Sequence, residues 1–193
     1  MNPRHTQQFY THLCTHVAPK LIEHCTVDNN LNSVTLTTRP EHVYDLLQLL
    51  RDHSDTQFRG FIDMTATDYP TRDERFEVVY LLQSYVYTTR CTVVVSLDEF
   101  TPLSSVVALY PAANWAEREM WDMFGVLVTG HPDLRRLLTD YGFDGHPLRK
   151  DFPVSGFVEA KYDSSEKRVC LEDLELSQGY RSFSLNTPWN DKV

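Results

Sequence analysis

Apolar and polar positions change period several times along the chain, and each change predicts an element. Leu21–Val27 reads as a strand. Asn29-Asn30 then suits a tight turn, because Asn tolerates the left-handed region. Val34 and Leu36 alternate with Thr35 and Thr37 as in a half-buried strand, so the two runs predict a hairpin. Pro40-Glu41 opens a helix in which Val43, Leu46, Leu47 and Leu50 recur at i, i+3, i+4 and i+7. The period returns to two over Phe61–Thr67. Phe76–Gln83 carries apolar residues on both faces at Val78–Leu82, as a central strand does. Tyr85 to Ser96 alternates through Cys91, Val93 and Val95 and predicts one long strand, paired to its predecessor across Ser84. Short helices are expected over Ser104–Leu109 and, at the N-terminal end, over Thr6–Ala18, where Phe9, Leu13 and Val17 share a side and Pro19 closes the turn.

Strands grouped in runs and joined by hairpins argue for an α+β fold. The expectation is two layers: a mostly antiparallel or mixed sheet with helices packed on it. The globular domain is expected to span residues 1–153. Beyond Pro153 no period is sustained. Residues 154–193 scatter Phe157, Tyr162, Tyr180, Phe183 and Trp189 among charges. Such a stretch cannot build a core of its own, and its aromatics predict an extended arm that docks on a partner.

Charge and cysteine usage narrow the function. With 18 basic and 27 acidic residues the chain carries a net charge of −9, a poor match to nucleic acid or an anionic membrane surface. No apolar run reaches the length of a membrane span. Cys14, Cys25, Cys91 and Cys170 lack the spacing of an iron–sulfur or zinc site and are expected to be reduced and mostly buried. No glycine-rich phosphate loop is present, and the N-terminal residues lack the pattern of a targeting signal.

The densest chemistry lies between Asn114 and Asp151. A helix is predicted from about Ala112 to Phe124, ended by Gly125. On a helical wheel Glu117, Met120, Trp121 and Phe124 share one arc, and Trp115, Arg118, Glu119 and Asp122 the other. Glu117 is thus a carboxylate on the most apolar stripe. Its expected partner is Arg135 or Arg136, in a buried ion pair. Arg118 and Asp122 are spaced as an i,i+4 pair. Downstream, Gly130-His131-Pro132-Asp133-Leu134-Arg135-Arg136 places Pro132 where a helix could begin. A second Gly-His-Pro, at Gly145-His146-Pro147, leads into Leu148-Arg149-Lys150-Asp151. Arg135, Arg136, Arg149 and Lys150 form a positive island in an acidic chain.

These runs, Glu-Arg-Glu at 117–119, Trp-Asp-Met-Phe-Gly at 121–125 and His-Pro-Asp-Leu-Arg-Arg at 131–136, resemble the signature of the NuoC, or 30-kDa, subunit family of respiratory complex I. The resemblance continues through Thr139–Pro153 and upstream at Phe61–Ala66 and Arg75–Tyr80, while the first 57 residues add little. It implies a scaffold subunit of NADH:ubiquinone oxidoreductase, without catalytic residues or a cofactor of its own. FMN and iron–sulfur clusters would belong to other subunits. It implies a place in the peripheral arm beside the NuoD-like (49-kDa) subunit and neighbouring iron–sulfur subunits. That arm would lie on the matrix side of the mitochondrial inner membrane, or on the cytoplasmic face of a bacterial plasma membrane.

Two other readings come from the residues alone. Glu117, Asp122 and His131 could serve a hydrolase, with Glu119 as a further carboxylate, but Glu117 and Glu119 diverge on a helix and cannot flank one bond. His131 and His146, with Asp133 or Asp144, could hold a metal, but no adjacent Cys or helical His pair completes the set.

Overall fold

The computed structural model describes residues 10, 19–28 and 33–183. The helix expected over Thr6–Ala18, the turn at Asn29-Asn30, Cys14 and Trp189 therefore lie outside the described residues. The chain divides into two units, Met1–Asp151 and Phe152–Val193.

The first unit is α+β, built on a five-stranded mixed sheet. Strand β1 (His24–Asp28) and β2 (Ser33–Thr38) pair antiparallel, with Cys25 opposite Leu36 and Val27 opposite Val34. β1 starts later than the apolar run suggests, because residues 19–21 form a turn. A 3-10 turn at Pro40–His42 leads into α1 (Val43–Asp52). Its buried residues are Val43, Leu46, Leu47 and Leu50, the four positions of the i, i+3, i+4, i+7 stripe. Three strands follow: β3 (Gly60–Asp68), β4 (Phe76–Ser84) and β5 (Thr89–Leu97). The spatial order is β1-β2-β5-β4-β3, and only the β2–β5 pairing is parallel. A parallel neighbour needs a crossover. Here it runs through α1, β3 and β4.

Two expectations need correction. The long strand from Tyr85 does not form: Tyr85 to Thr88 make the hairpin turn, Thr88 takes a positive φ of 53°, and β5 begins at Thr89. The alternation had run on through a turn built of strand-favouring residues. Nor is Ser104–Leu109 a helix. Leu103–Ser104 is a short strand, β6, paired in parallel with β7 (Val128–Thr129), and the residues after it turn.

Between β6 and β7 in sequence lies α2 (Ala113–Phe124), which ends at Gly125 in the left-handed conformation, φ 77°. Its Ala113, Met120 and Phe124 join one hydrophobic core with the inner sheet residues Val78, Tyr80, Leu82, Val93 and Val95 and with α1. The helical face therefore follows from ordinary burial of a stripe.

The second unit contains a hairpin absent from the sequence reading, β8 (Val158–Asp163) with β9 (Arg168–Asp173). Its register places Ala160 opposite Leu171 and Tyr162 opposite Val169. Val158, Ala160, Tyr162, Val169 and Leu171 thus share one face, and all are exposed.

Candidate functional site

The site is α2 together with the loop from Gly130 to Asp151, and the helix is buried from two sides. Glu117, Met120 and Phe124 face the core, as the wheel predicts. Arg118 and Asp122, on the opposite arc, are buried as well. The loop covers these two, while Trp115 and Glu119 on the same arc stay exposed.

Asp122 organises that loop. One carboxylate oxygen accepts the backbone N–H groups of Leu137, Leu138 and Thr139 at 3.1, 2.7 and 2.9 Å. The other accepts the Thr139 hydroxyl at 2.7 Å and Arg136 at 3.2 Å. Burial works against the charge, but the Thr139 hydroxyl and the three amides overcome it and bring the carboxyl down to about 2. Arg136 also donates to Thr139 Oγ1 and to the Gly145 carbonyl. Arg118 does not pair with Asp122 as its spacing suggests. It donates to the carbonyls of Arg135 and Arg136 and lies 5.6 Å from the Trp115 ring centroid. The helix expected after Pro132 is likewise absent. A helix would spend the amides of residues 137–139 on its own carbonyls, and Asp122 takes them instead.

Glu117 is 1% exposed, but its partner is not an arginine. One oxygen accepts the Ser105 hydroxyl at 2.7 Å and the other the Val106 N–H at 2.7 Å. Arg136 is engaged by Asp122, and Arg135 pairs on the surface with Asp133. The β6–β7 pairing delivers these donors: Ser105 N–H binds the Thr129 carbonyl, which holds the 105–106 turn against α2. His131 Nε2 lies 3.9 Å from Glu117. That ring accepts the Asp133 N–H on Nδ1 and donates from Nε2 to the Asn114 carbonyl, the pattern of a neutral imidazole. The contact is therefore not an ion pair. Burial pushes the Glu117 carboxyl up, and the bonds from Ser105 and Val106 offset only part of this. Nearby, the fully buried Tyr80 hydroxyl has no hydrogen-bond partner among the described residues, and burial followed by the Glu117 charge pushes it up.

The second Gly-His-Pro caps the helix. The last carbonyls of a helix lack internal partners. Here the His146 Nδ1–H donates to Asp122 O at 3.0 Å, the Leu148 N–H to Met123 O at 3.1 Å and Arg149 Nε to Phe124 O at 2.6 Å. His146 also meets the Trp121 ring edge-on at 5.6 Å. Beyond the cap, Arg149 pairs with Glu99, and the Lys150 N–H reaches Asp68 at 2.8 Å. Asp68 takes two bonds from Arg75, which holds its carboxyl below the usual range, and Arg75 also pairs with Asp151 at 3.0 Å. Ser105, Asp68 and Glu99 were missed by sequence reasoning, and Thr139 and Arg75 entered it only within the runs that carry the resemblance, with no role assigned. Asp68 and Arg75 alone carried a signal, as opposite charges at the two ends of one hairpin loop.

Residues 36–158 match the family described as respiratory-chain NADH dehydrogenase, 30 Kd subunit, a span that includes the whole of α2 and its loop. The chain belongs to this 30 Kd subunit family. Among its relatives, NADH-ubiquinone oxidoreductase subunit 9 of Prototheca wickerhamii is 55% identical over 158 residues, 82% of each chain. An NADH-quinone oxidoreductase subunit of a Methylobacterium strain is 52% identical over 158 residues, covering 82% of this chain and 74% of the relative. A chain of the membrane-bound sulfane sulfur reductase, an archaeal respiratory membrane complex, shares the fold. It superposes with a TM-score of 0.64 at 24% identity, covering 76% of this chain and 85% of that one.

In this member of the 30 Kd family the signature divides into three roles. Glu117, Arg118, Asp122, Phe124, Gly125, His131, Arg136, His146 and Arg149 bind α2 to its surroundings. Trp121 and Pro147 are half-buried beside them. Glu119, Pro132, Asp133, Arg135, Lys150 and Asp151 lie at the surface. The hydrolase arrangement does not form. Glu117 and His131 approach each other, but Asp122 is engaged by the loop, and none of the three side chains is more than 1% exposed. His131 and His146 serve different ends of α2, bound to Asn114 and Asp122. Among the described residues no three His, Cys, Asp or Glu converge to hold a metal. Cys91 is buried, whereas Cys25 and Cys170 are half-buried, more open than expected.

Proposed function

We propose that the chain is a non-catalytic core subunit of the peripheral arm of NADH:ubiquinone oxidoreductase, a scaffold beside the NuoD-like subunit near the quinone site. Electrons pass from NADH to ubiquinone through FMN and iron–sulfur clusters held by other subunits. The observation that carries this reading is the commitment of the signature's buried polar groups to bonds within the chain. Glu117, Arg118, Asp122, Arg136, His146 and Arg149 spend their hydrogen bonds on holding α2, β6 and the loop together. What they build is a rigid face. No helix among the described residues is long and apolar enough to cross a membrane. On this reading the chain lies on the matrix side of the inner membrane in a mitochondrion, or on the cytoplasmic face of the membrane in a bacterium.

The test is purification of the tagged full-length chain from mildly solubilised membranes. The expected result is a large assembly with NADH:quinone reductase activity, flavin and iron. A second arm expresses the chain alone, expected to bind neither flavin nor metal and to oxidise no NADH. A chain that never enters such an assembly, or that alone carries one flavin or metal, would overturn the reading.

A further inference from the structure

Three large apolar side chains from three separate stretches converge on one open groove of about 510 Å³ in the first unit. They are Ile62 on β3, Trp115 in the first turn of α2 and Leu138 in the loop, exposed by 49%, 65% and 59%. Exposed apolar residues scattered singly need no explanation, but a contiguous patch does. β3 is an edge strand, and its register skips between Phe61 and Asp63. Such a bulge re-aims side chains and spoils the edge for strand pairing. Here it leaves Ile62 and Asp63 both exposed on the groove.

The rim is acidic. Asp63 and Glu119 line the groove, and neither has a cation within ion-pairing distance among the described residues. The guanidinium of Arg118, 5.6 Å from the Trp115 ring centroid, donates to two carbonyls instead. An apolar centre with an unanswered negative rim is complementary to an apolar anchor flanked by cations.

We propose that this groove receives a protein segment from a neighbouring subunit of the assembly, in which a large apolar residue is flanked by lysine or arginine. The proposal rests on the function set out above. A second copy of this chain is a poor occupant, because it brings a further net charge of −9 to an acidic rim. The chain's own residues 152–193 carry seven acidic and five basic residues, and an adduct to them is one of the outcomes that overturn the proposal. A small molecule is disfavoured by the openness of the site, since such ligands are mostly enclosed.

The experiment uses the full-length tagged chain in its native membranes, with a photoreactive phenylalanine analogue at position 115 or, separately, at 138. After irradiation the complex is purified and the crosslinked peptides are sequenced. The expected adduct joins both positions to one segment of a different subunit, with an apolar residue within a few positions of Lys or Arg. Asp63→Lys with Glu119→Lys, both at exposed positions, should cut the adduct at 138 by about tenfold, the effect of roughly 1.4 kcal/mol. Full assembly with no adduct, an adduct within this chain or its copy, an acidic peptide, or an unchanged yield in the charge-reversed chain overturns the groove proposal alone. Absence of the tagged chain from any respiratory assembly overturns the functional reading, and the groove's occupant with it.

Discussion

Asp122 and Glu117 stand five residues apart on α2, both shielded from water, yet their carboxyls move in opposite directions. Five donors answer Asp122 and two answer Glu117. The consequences for stability are opposite as well. An ordinary aspartate titrates near ~3.9 in the unfolded chain. Asp122, held at about 2, contributes stability above that value and loses it as the pH falls from ~4 to ~2. For Glu117 the folded state holds its proton more tightly than the unfolded state. Stability therefore falls as the pH rises from the unfolded value of ~4.3 towards the raised folded one. Urea unfolding of the purified chain against pH should show Asp122→Asn less stable by roughly 2–4 kcal/mol at pH 7, with the acid-side loss flattened. Glu117→Gln can still accept from Val106 and donate to the Ser105 oxygen without burying a charge. It should match or exceed the parent at pH 7; a deficit beyond ~2 kcal/mol would refute the hydrogen-bond assignment. The burial of Glu117 was legible in the sequence, because a carboxylate stood on an apolar stripe. Its partners were not, because a serine and a backbone amide leave no charge pattern to read.

At the scale of elements, α1 and α2 were legible because their apolar spacing and end signals agree with the tertiary contacts. The loop was not. Its conformation is set by where its amides go, and Asp122 is distant from them in sequence. Gly125 joins the two. With φ at 77°, a side chain there is strained, and a Cβ would lie 2.6 Å from both His146 Nε2 and Arg149 Nη2. Gly125→Ala should therefore push away two of the groups that cap α2. The left-handed conformation alone costs about 1–2 kcal/mol, and displaced caps add to it. At roughly 2–4 °C per kcal/mol for a chain of this size, the melting temperature should fall by ~5–10 °C. A melt within ~2 °C of the parent would show that the cap is not what holds the loop.

For the whole molecule, the α+β sheet was legible from runs of period two broken by one helix, but the parallel β2–β5 pairing that makes it mixed was not, because it joins strands distant in sequence. Nor was the β8–β9 hairpin, because its apolar residues stay exposed among the described residues of their own unit. A two-stranded hairpin is at best marginally stable in water. Its exposed face of Val158, Tyr162, Val169 and Leu171 asks for cover from outside. Ending the chain after Pro153 should leave the first unit folded, with a cooperative melt and the circular dichroism of a mixed sheet. The same truncation should prevent or weaken entry into the respiratory assembly, read on a native gel of membranes. A full-sized, fully active complex containing the shortened chain would show that residues 154–193 do not dock it.

The parallel pairing of β2 with β5 also sets a timetable. Ser33 lies opposite Arg90, 57 residues further along the chain. At a synthesis rate of roughly 5–20 residues per second, β2 is made roughly 3–11 s before the strand that covers its inner edge. During that interval its partner among the described strands is β1. The sheet therefore closes only once β5, its last-made strand, joins β2 to β4, and the first hairpin spends seconds as an open edge that another nascent chain could occupy.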